Sequence, residues 1–192
     1  MQKIKTQTLI EIALCAAIAL LIDIMIPSPS WSFTVSVKMV PIIILALRRG
    51  TGAGVAGGFL WGLLQYIVGN AYILTLFQFV LEYFVAFALI GLAGLLAPKM
   101  QAVLASEPAN YLKQVKIAVA ALVIGSFTRY VIHFIAGFLF WGSYAPKGQS
   151  PYLYSFLVNG GAFLSETLCC AIVLALLVKS YRRLIGTKTQ GY

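Results

Sequence analysis

The sequence predicts an all-α, polytopic membrane protein with six transmembrane helices. Of its 192 residues, 61% are hydrophobic and only 10% are charged, which is too little polar surface to cover a soluble protein of this size. The apolar residues occur in long runs, and a helix that crosses a bilayer needs about 20 of them in succession. Helices are expected because the backbone polar groups of a segment in lipid must be hydrogen-bonded within it.

The first half of the chain predicts three helices. The first covers about 8–26 and ends at Pro27, because proline cannot continue a helix. The second, 37–47, is short and precedes the basic pair at Arg48. The third, 51–68, contains four glycines that would let neighbouring helices approach closely: Gly54, Gly57, Gly58 and Gly62.

The second half predicts three longer helices. They cover about 72–97, 115–140 and 152–178. The stretch 98–114 is polar and contains Glu107 followed by a proline, so it is expected to be a cytoplasmic loop. The whole chain, 1–192, is expected to form a single integral membrane domain.

The net charge of +9 reflects membrane topology rather than nucleic-acid binding. The basic residues lie at the ends of apolar runs and form no continuous stripe. Eleven lysines and arginines fall on one side of the predicted membrane, and only Lys38 and Lys147 fall on the other. The positive-inside rule therefore predicts a multi-pass protein of the cell membrane with both termini in the cytoplasm.

Four polar residues within the apolar runs require an explanation: Glu82, Arg129, His133 and Glu166. A charged side chain at the bilayer centre costs on the order of 2.5–3.5 kcal/mol on insertion scales, so it usually faces a partner or a cavity. Glu82 is suited to binding a cationic or amine-bearing ligand. It could equally form a structural ion pair with Arg129, and the sequence leaves both interpretations open.

One face of the fifth helix has the composition of a ligand pocket. Arg129, His133, Gly137 and Trp141 recur every four residues and so lie along one stripe. A basic group, an imidazole, a gap and an indole would suit a flat heteroaromatic ring. The alternatives are a packing histidine and an interfacial tryptophan.

Further candidates surround this stripe in the outer half of the molecule. Tyr154 and Asn159 lie near the start of the sixth helix, and an amide can orient a nitrogen heterocycle through its donors and its acceptor. Trp31 and Tyr72 add aromatic rings, which could also be membrane-interface residues. A carboxylate beside aromatic faces suits a delocalised cation.

The sequence offers little support for an enzyme. It contains no glycine-rich phosphate loop, no HExxH zinc motif and no GxSxG elbow. Its three cysteines lie within apolar runs and suggest neither disulfides nor a metal site. A stand-alone proton-coupled carrier for a cationic nutrient, with Glu82 or Glu166 as the proton site, remains an alternative. Six helices without internal repeats are few for such a carrier, so a partner is expected to supply the energy.

These residues resemble a known family, the thiamine-specific substrate-binding (S) components of energy-coupling factor (ECF) transporters, of the ThiT type. The resemblance covers nearly the whole chain and is strongest in a few short motifs. They are Lys38-Met39-Val40-Pro41 leading into Leu45-Ala46-Leu47-Arg48-Arg49-Gly50, then Trp61-Gly62-Leu63-Leu64-Gln65-Tyr66, Leu81-Glu82-Tyr83, and the spacing of His133, Trp141, Tyr154 and Asn159.

The resemblance implies an S-component bundle that captures thiamine with high affinity at the extracellular face. Thiamine would be the transported ligand, with no cofactor and no catalysis in this chain. By similarity, Glu82 would supply negative charge, His133, Tyr154 and Asn159 would fix the rings, and Trp141 would stack on them. Gly137, Tyr83, Tyr72 and Trp31 complete the expected site. Another vitamin, such as riboflavin or biotin, is not excluded by composition.

The resemblance also implies partners. A transmembrane coupling subunit would contact the first helix through small residues, and two cytoplasmic ATPases would hydrolyse ATP. Ala13 and Ala17 form one small-xxx-small pair on that helix, and Cys15 with Ala19 forms another. Ordinary packing among the chain's own helices is the alternative interpretation of both pairs.

Overall fold

A computed structural model describes residues 5–26, 35–180 and 184–186. Within these ranges the chain forms six helical segments and no strand, which confirms the predicted all-α class. They are α1 (Thr6–Met25), α2 (Val40–Arg49), α3 (Thr51–Ile67), α4 (Leu76–Ser106), α5 (Tyr111–Phe140) and α6 (Pro151–Ser180).

Four of the described helices, α1, α4, α5 and α6, are long and apolar enough to cross a membrane. The helix α2 has only 10 residues and α3 has 17. The short α2 is acceptable because it lies inside the protein, where Ile42, Ile43 and Leu47 are fully buried. Gly50 joins α2 directly to α3 with φ of 88°, a conformation that favours glycine.

The fourth helix differs most from its predicted bounds of 72–97. It begins at Leu76, after Thr75 caps it by accepting a hydrogen bond from the Gln78 backbone N–H at 3.1 Å. It then continues past Pro98 to Ser106, so most of the predicted loop 98–114 is helical. Pro98 is tolerated because it lies in the first turn of the terminal α-helical segment, where its missing N–H is not needed.

The true connection between α4 and α5 is only 107–110. Asn110 caps α5 by accepting from the Lys113 backbone N–H at 3.2 Å, which explains why α5 starts at Tyr111 rather than near residue 115. Polar interactions of Glu107 with Lys113 and Asn110 close this turn. They lower the pKa of Glu107, chiefly through the hydrogen bond from Lys113.

The helix α4 is not uniformly α-helical. Val80–Val85 is π-helical and Ile90–Leu96 is 3₁₀-helical. Along this helix α3 packs in very close contact, as its glycines predict. A Cβ on Gly62 would overlap the carbonyl oxygen of Tyr83, and one on Gly58 would overlap that of Phe87. This close packing fixes the position of the π-helical segment relative to α3.

Candidate functional site

Most of the residues predicted to bind a ligand lie at one end of the bundle. The end of α3, the start of α4, the end of α5 and the start of α6 meet there. The opposite end carries the start of α1, where Glu11 bridges Arg48 and Arg49. The predicted site therefore lies on the side of the molecule with few basic residues.

Glu82 is the acidic centre of this cluster. It lies in the π-helical segment, and its Oε1 accepts a hydrogen bond from Trp141 Nε1 at 3.1 Å. His133 Nδ1 lies 3.9 Å from the same oxygen. Single-turn π-helices often occur at functional sites because they redirect side chains. The structure thus brings Glu82, His133 and Trp141 together, although they are far apart in sequence.

Gln78 organises the acidic side of the site, and it is fully buried. Its side-chain amide donates to Glu82 Oε2 and to the Tyr72 carbonyl, while its oxygen accepts from the Leu74 N–H at 3.0 Å. It therefore connects the loop before α4 to the carboxylate. The sequence signal was its position one turn before Glu82 on the same face.

Tyrosine rings pack around Trp141, whose indole N–H binds this carboxylate. Trp141 lies between Tyr72 and Tyr144, with ring centroids 5.2 and 5.4 Å away. The Tyr72 N–H donates to the Tyr83 hydroxyl oxygen at 2.8 Å. A hydrogen bond with Tyr72 raises the pKa of Tyr144. The sequence did not single out Tyr144, because a tyrosine in an outer turn has no distinctive spacing.

A second polar group joins α5 to α6. Ser155 donates from Oγ to the Phe134 carbonyl at 2.7 Å, and Asn159 Nδ2 donates to Ser155 Oγ at 3.1 Å. Gly137 allows this contact, since a Cβ there would overlap Ser155 Oγ and lie 2.9 Å from Asn159 Nδ2. Tyr154, half-buried, precedes Ser155 on α6. The predicted role of Gly137 as a gap is consistent with this geometry.

Of the two interpretations that the sequence left open for Glu82, the structure does not show the ion pair with Arg129. Its Nη1 lies 3.3 Å from Glu166 Oε2 on α6, and its Nε donates to His133 Nε2 at 3.3 Å. The reason is geometric, because Arg129 lies one helical turn below His133 and so faces the deeper carboxylate. Glu82 instead has Gln78, His133 and Trp141 around it.

Four further residues that the sequence singled out have different outcomes. Trp31 lies outside the described residues. Ala13 is exposed on α1 and Ala17 is half-buried, so this pair lies towards the surface. Ala19 of the second small-residue pair is fully buried, which indicates packing within the bundle. Among the described side chains, no group of three or more His, Cys, Asp or Glu residues could hold a metal ion.

Comparison with known proteins gives consistent matches. Residues 9–186 match the family described as "Thiamine transporter protein". A thiamine transporter ThiT of Lacticaseibacillus paracasei is 44% identical over 142 residues, or 72% of this chain and 69% of the relative. One of Bacillus subtilis is 38% identical over 180 residues, or 92% and 93% of the two chains.

A solved structure of ThiT from Listeria monocytogenes has the same fold. It superposes with a TM-score of 0.88 at 34% identity, covering 94% of this chain and 97% of that chain. The shared fold therefore extends over nearly the whole chain.

Proposed function

The chain belongs to the thiamine transporter protein family, and from this premise we propose that it captures thiamine in the site between α4, α5 and α6. It is a membrane protein and a thiamine-specific S component of the ECF type. Thiamine contains a positively charged thiazolium ring joined to an aminopyrimidine. A site for it must therefore attract a delocalised cation and orient a nitrogen heterocycle.

The observation that carries the proposal is a mostly buried carboxylate beside an indole and an imidazole. Glu82 is 13% exposed at its side chain and faces His133 and Trp141. At a separation of about 4 Å, a unit charge pair contributes about 4 kcal/mol at an effective dielectric constant of 20 and about 1 kcal/mol in bulk water. The rings of Trp141 and Tyr72 add cation–π attraction of up to about 2 kcal/mol in a dry site.

The second polar group supplies a means of orienting the pyrimidine. Asn159 Nδ2 donates to the Ser155 carbonyl and to Ser155 Oγ, both at 3.1 Å, which orients the amide so that its Oδ1 is the acceptor for an amino group of the ligand. Gly137 on α5 faces both Ser155 and Asn159, and Tyr154 directly precedes Ser155 on α6. Fixing the heterocycle here and the cation at Glu82 would distinguish thiamine from vitamins that lack a positive charge, such as biotin.

Transport would depend on partner proteins. We assign ATP hydrolysis to two cytoplasmic ATPases and place thiamine capture at the extracellular face of the cell membrane, with both termini of this chain in the cytoplasm. The distribution of basic residues along the sequence supports this orientation, because eleven fall in the segments predicted to be cytoplasmic and two in the others.

The face of α1 that carries Ala13 is the proposed contact for a transmembrane coupling subunit. An apolar groove runs beside it between α1, α2 and α6. Its walls include Leu14, Ile18, Val40 and Leu177. A groove of this composition suits an apolar helix, and small residues such as Ala13 and Ala17 allow close approach.

Titration calorimetry of the detergent-purified protein tests the capture role. Wild type is expected to bind thiamine tightly at one site per chain, and riboflavin and biotin not at all. Glu82→Gln should weaken thiamine binding by roughly 5- to 1000-fold, the range given by the two dielectric limits. Glu107→Gln, which removes a carboxylate at the other end of the bundle, is the matched control and should bind normally. Absence of thiamine binding by wild type would refute the assignment.

A second measurement separates capture from autonomous transport. This chain alone in sealed vesicles should not accumulate thiamine with or without a proton gradient. Accumulation driven by the gradient would instead indicate a stand-alone carrier.

A further inference from the structure

A second carboxylate, Glu166, lies below the proposed thiamine site and has no role in the function proposed above. It is on α6 and is fully buried. Its Oε2 accepts from the Tyr130 hydroxyl and from Arg129 Nη1, the latter at 3.3 Å. A buried carboxylate is costly unless it is paired, so Arg129 is its counter-ion.

Arg129 is held in place on all sides. It is 5% exposed, and its guanidinium lies 5.4, 4.8 and 5.3 Å from the ring centroids of Trp61, Phe87 and Tyr130. These cation–π contacts fix the plane of the guanidinium. Its Nε also donates a hydrogen bond to His133 Nε2 at 3.3 Å.

This bond determines the protonation of His133. Arginine has donors but no acceptor, so Nε2 of the imidazole must accept and carry no proton. The proton of neutral His133 is thereby assigned to Nδ1, which faces Glu82 Oε1 at 3.9 Å. Hydrogen bonds thus run from Glu166 through Arg129 to His133, and the imidazole in turn faces Glu82.

The charges of these side chains have a consequence for a cationic ligand. Two carboxylates, one guanidinium and a neutral imidazole sum to −1. Without Glu166 the sum would be zero, and Arg129 would act as the internal counter-ion of Glu82. A nearby charged pair, Asp23 and Lys38 at 2.8 Å, neutralises itself and does not alter this sum.

We infer that Glu166 is a positioning residue that gives the site its preference for a cation: it neutralises Arg129 and holds it away from Glu82. Arg129 can then orient His133 without opposing the positive ring of the ligand. The inference rests on the proposed function, because it concerns the same thiamine site.

The test compares two ligands that differ in charge. Thiamine is a cation, whereas its pyrimidine fragment, 4-amino-5-hydroxymethyl-2-methylpyrimidine, is neutral at pH 7.5. Both are measured by calorimetry, with the fragment in competition against thiamine. Glu166→Gln is expected to weaken thiamine by about tenfold, since an uncompensated charge would act across one imidazole ring. The fragment should change by no more than about twofold.

The double variant Arg129→Gln/Glu166→Gln restores the net charge of −1. It should bind thiamine more tightly than Glu166→Gln, although it lacks the bond to His133. A purely structural role predicts the opposite order, with the double variant at least as weak as the single one. That order, or equal weakening of both ligands by Glu166→Gln, would overturn the inference.

Arg129→Gln alone keeps the test decisive if Glu166→Gln does not fold. Removing the guanidinium should leave the ratio of thiamine affinity to fragment affinity unchanged or raise it, and a fall in this ratio would contradict the inference. Wild type provides the separate check on function. If it fails to bind thiamine, the proposed function is wrong irrespective of the variants.

Discussion

Gly137 offers the sharpest single perturbation of the site. An added methyl group would overlap Ser155 Oγ and lie 2.9 Å from Asn159 Nδ2. Ser155 cannot simply rotate away, since its hydroxyl donates to the Phe134 carbonyl at 2.7 Å and accepts from Asn159 at 3.1 Å. Gly137→Ala therefore either breaks these two hydrogen bonds or separates α5 from α6.

The magnitude follows from these two outcomes. Each of these neutral hydrogen bonds contributes about 1 kcal/mol, so holding Asn159 in its binding orientation without them costs up to about 2 kcal/mol. The Kd for thiamine is therefore expected to weaken by up to roughly 30-fold. If the helices separate instead, overpacking costs about 1–3 kcal/mol of folding free energy. Calorimetry with thiamine measures the first effect, and the Tm of the detergent-purified protein measures the second.

Gly160 provides a matched control. It follows Asn159 on α6, and a Cβ there would meet nothing within 4 Å. Gly160→Ala should bind thiamine as wild type does and should raise stability by up to about 1 kcal/mol, because alanine favours helix over glycine. If Gly137→Ala and Gly160→Ala gave the same Kd and the same Tm, the conclusion that Ser155 and Asn159 require a glycine at position 137 would be refuted.

Three further outcomes are expected. Gly62→Ala places a methyl group against an α4 carbonyl, and this overpacking should cost about 1–3 kcal/mol of folding free energy. It should therefore lower the Tm and weaken thiamine binding, whereas Gly52→Ala, in open space on the same helix, should do neither. Trp141→Phe keeps an aromatic ring but removes the 3.1 Å hydrogen bond to the α4 carboxylate. Calorimetry should then show a Kd for thiamine that is weaker by about tenfold or more. An unchanged Kd would contradict the role of the indole N–H. The lowered pKa of Glu107, caused mainly by Lys113, gives stability that is present above the unfolded pKa of 4.5 and is lost as the pH falls through the folded value. Glu107→Gln should thus lower the Tm at pH 7, and this difference from wild type should shrink as the pH falls below 4.5. A difference in Tm that stays constant with pH would contradict this.

Hydropathy and helix breakers predicted the fold class and the six helices. They do so because a segment in lipid must be apolar and must satisfy its own backbone hydrogen bonds. The same signals failed at both ends of α4. Polar residues after Pro98 suggested a loop, yet a helix that extends beyond the apolar layer can be polar, and a proline in its first turn does not break it. The late start at Leu76 depends on the contacts of Gln78 with the preceding loop, which no hydropathy pattern records.

The sequence predicted which residues of the site share a helix face, because helical spacing determines that. It could not predict which charged side chains pair with each other. The four-residue spacing correctly placed His133 and Trp141 on one face, and both meet Glu82 in the structure. The partner of Arg129 was open because two carboxylates on different helices were available. Only the depth of each side chain in the packed bundle selects Glu166.

The helix α5 can accordingly be understood as the axis around which the site is ordered. At its deep end, Arg129 pairs with the α6 carboxylate and His133 faces the α4 carboxylate. Farther out, Gly137 lies against the α6 amide, and Trp141 contacts an outer aromatic ring. Each step of about 6 Å along the helix therefore changes the chemistry that a ligand would encounter. Because one rigid helix sets all four positions, a displacement of α5 would alter cation recognition and pyrimidine orientation together, whereas substitutions on α4 or α6 would separate them.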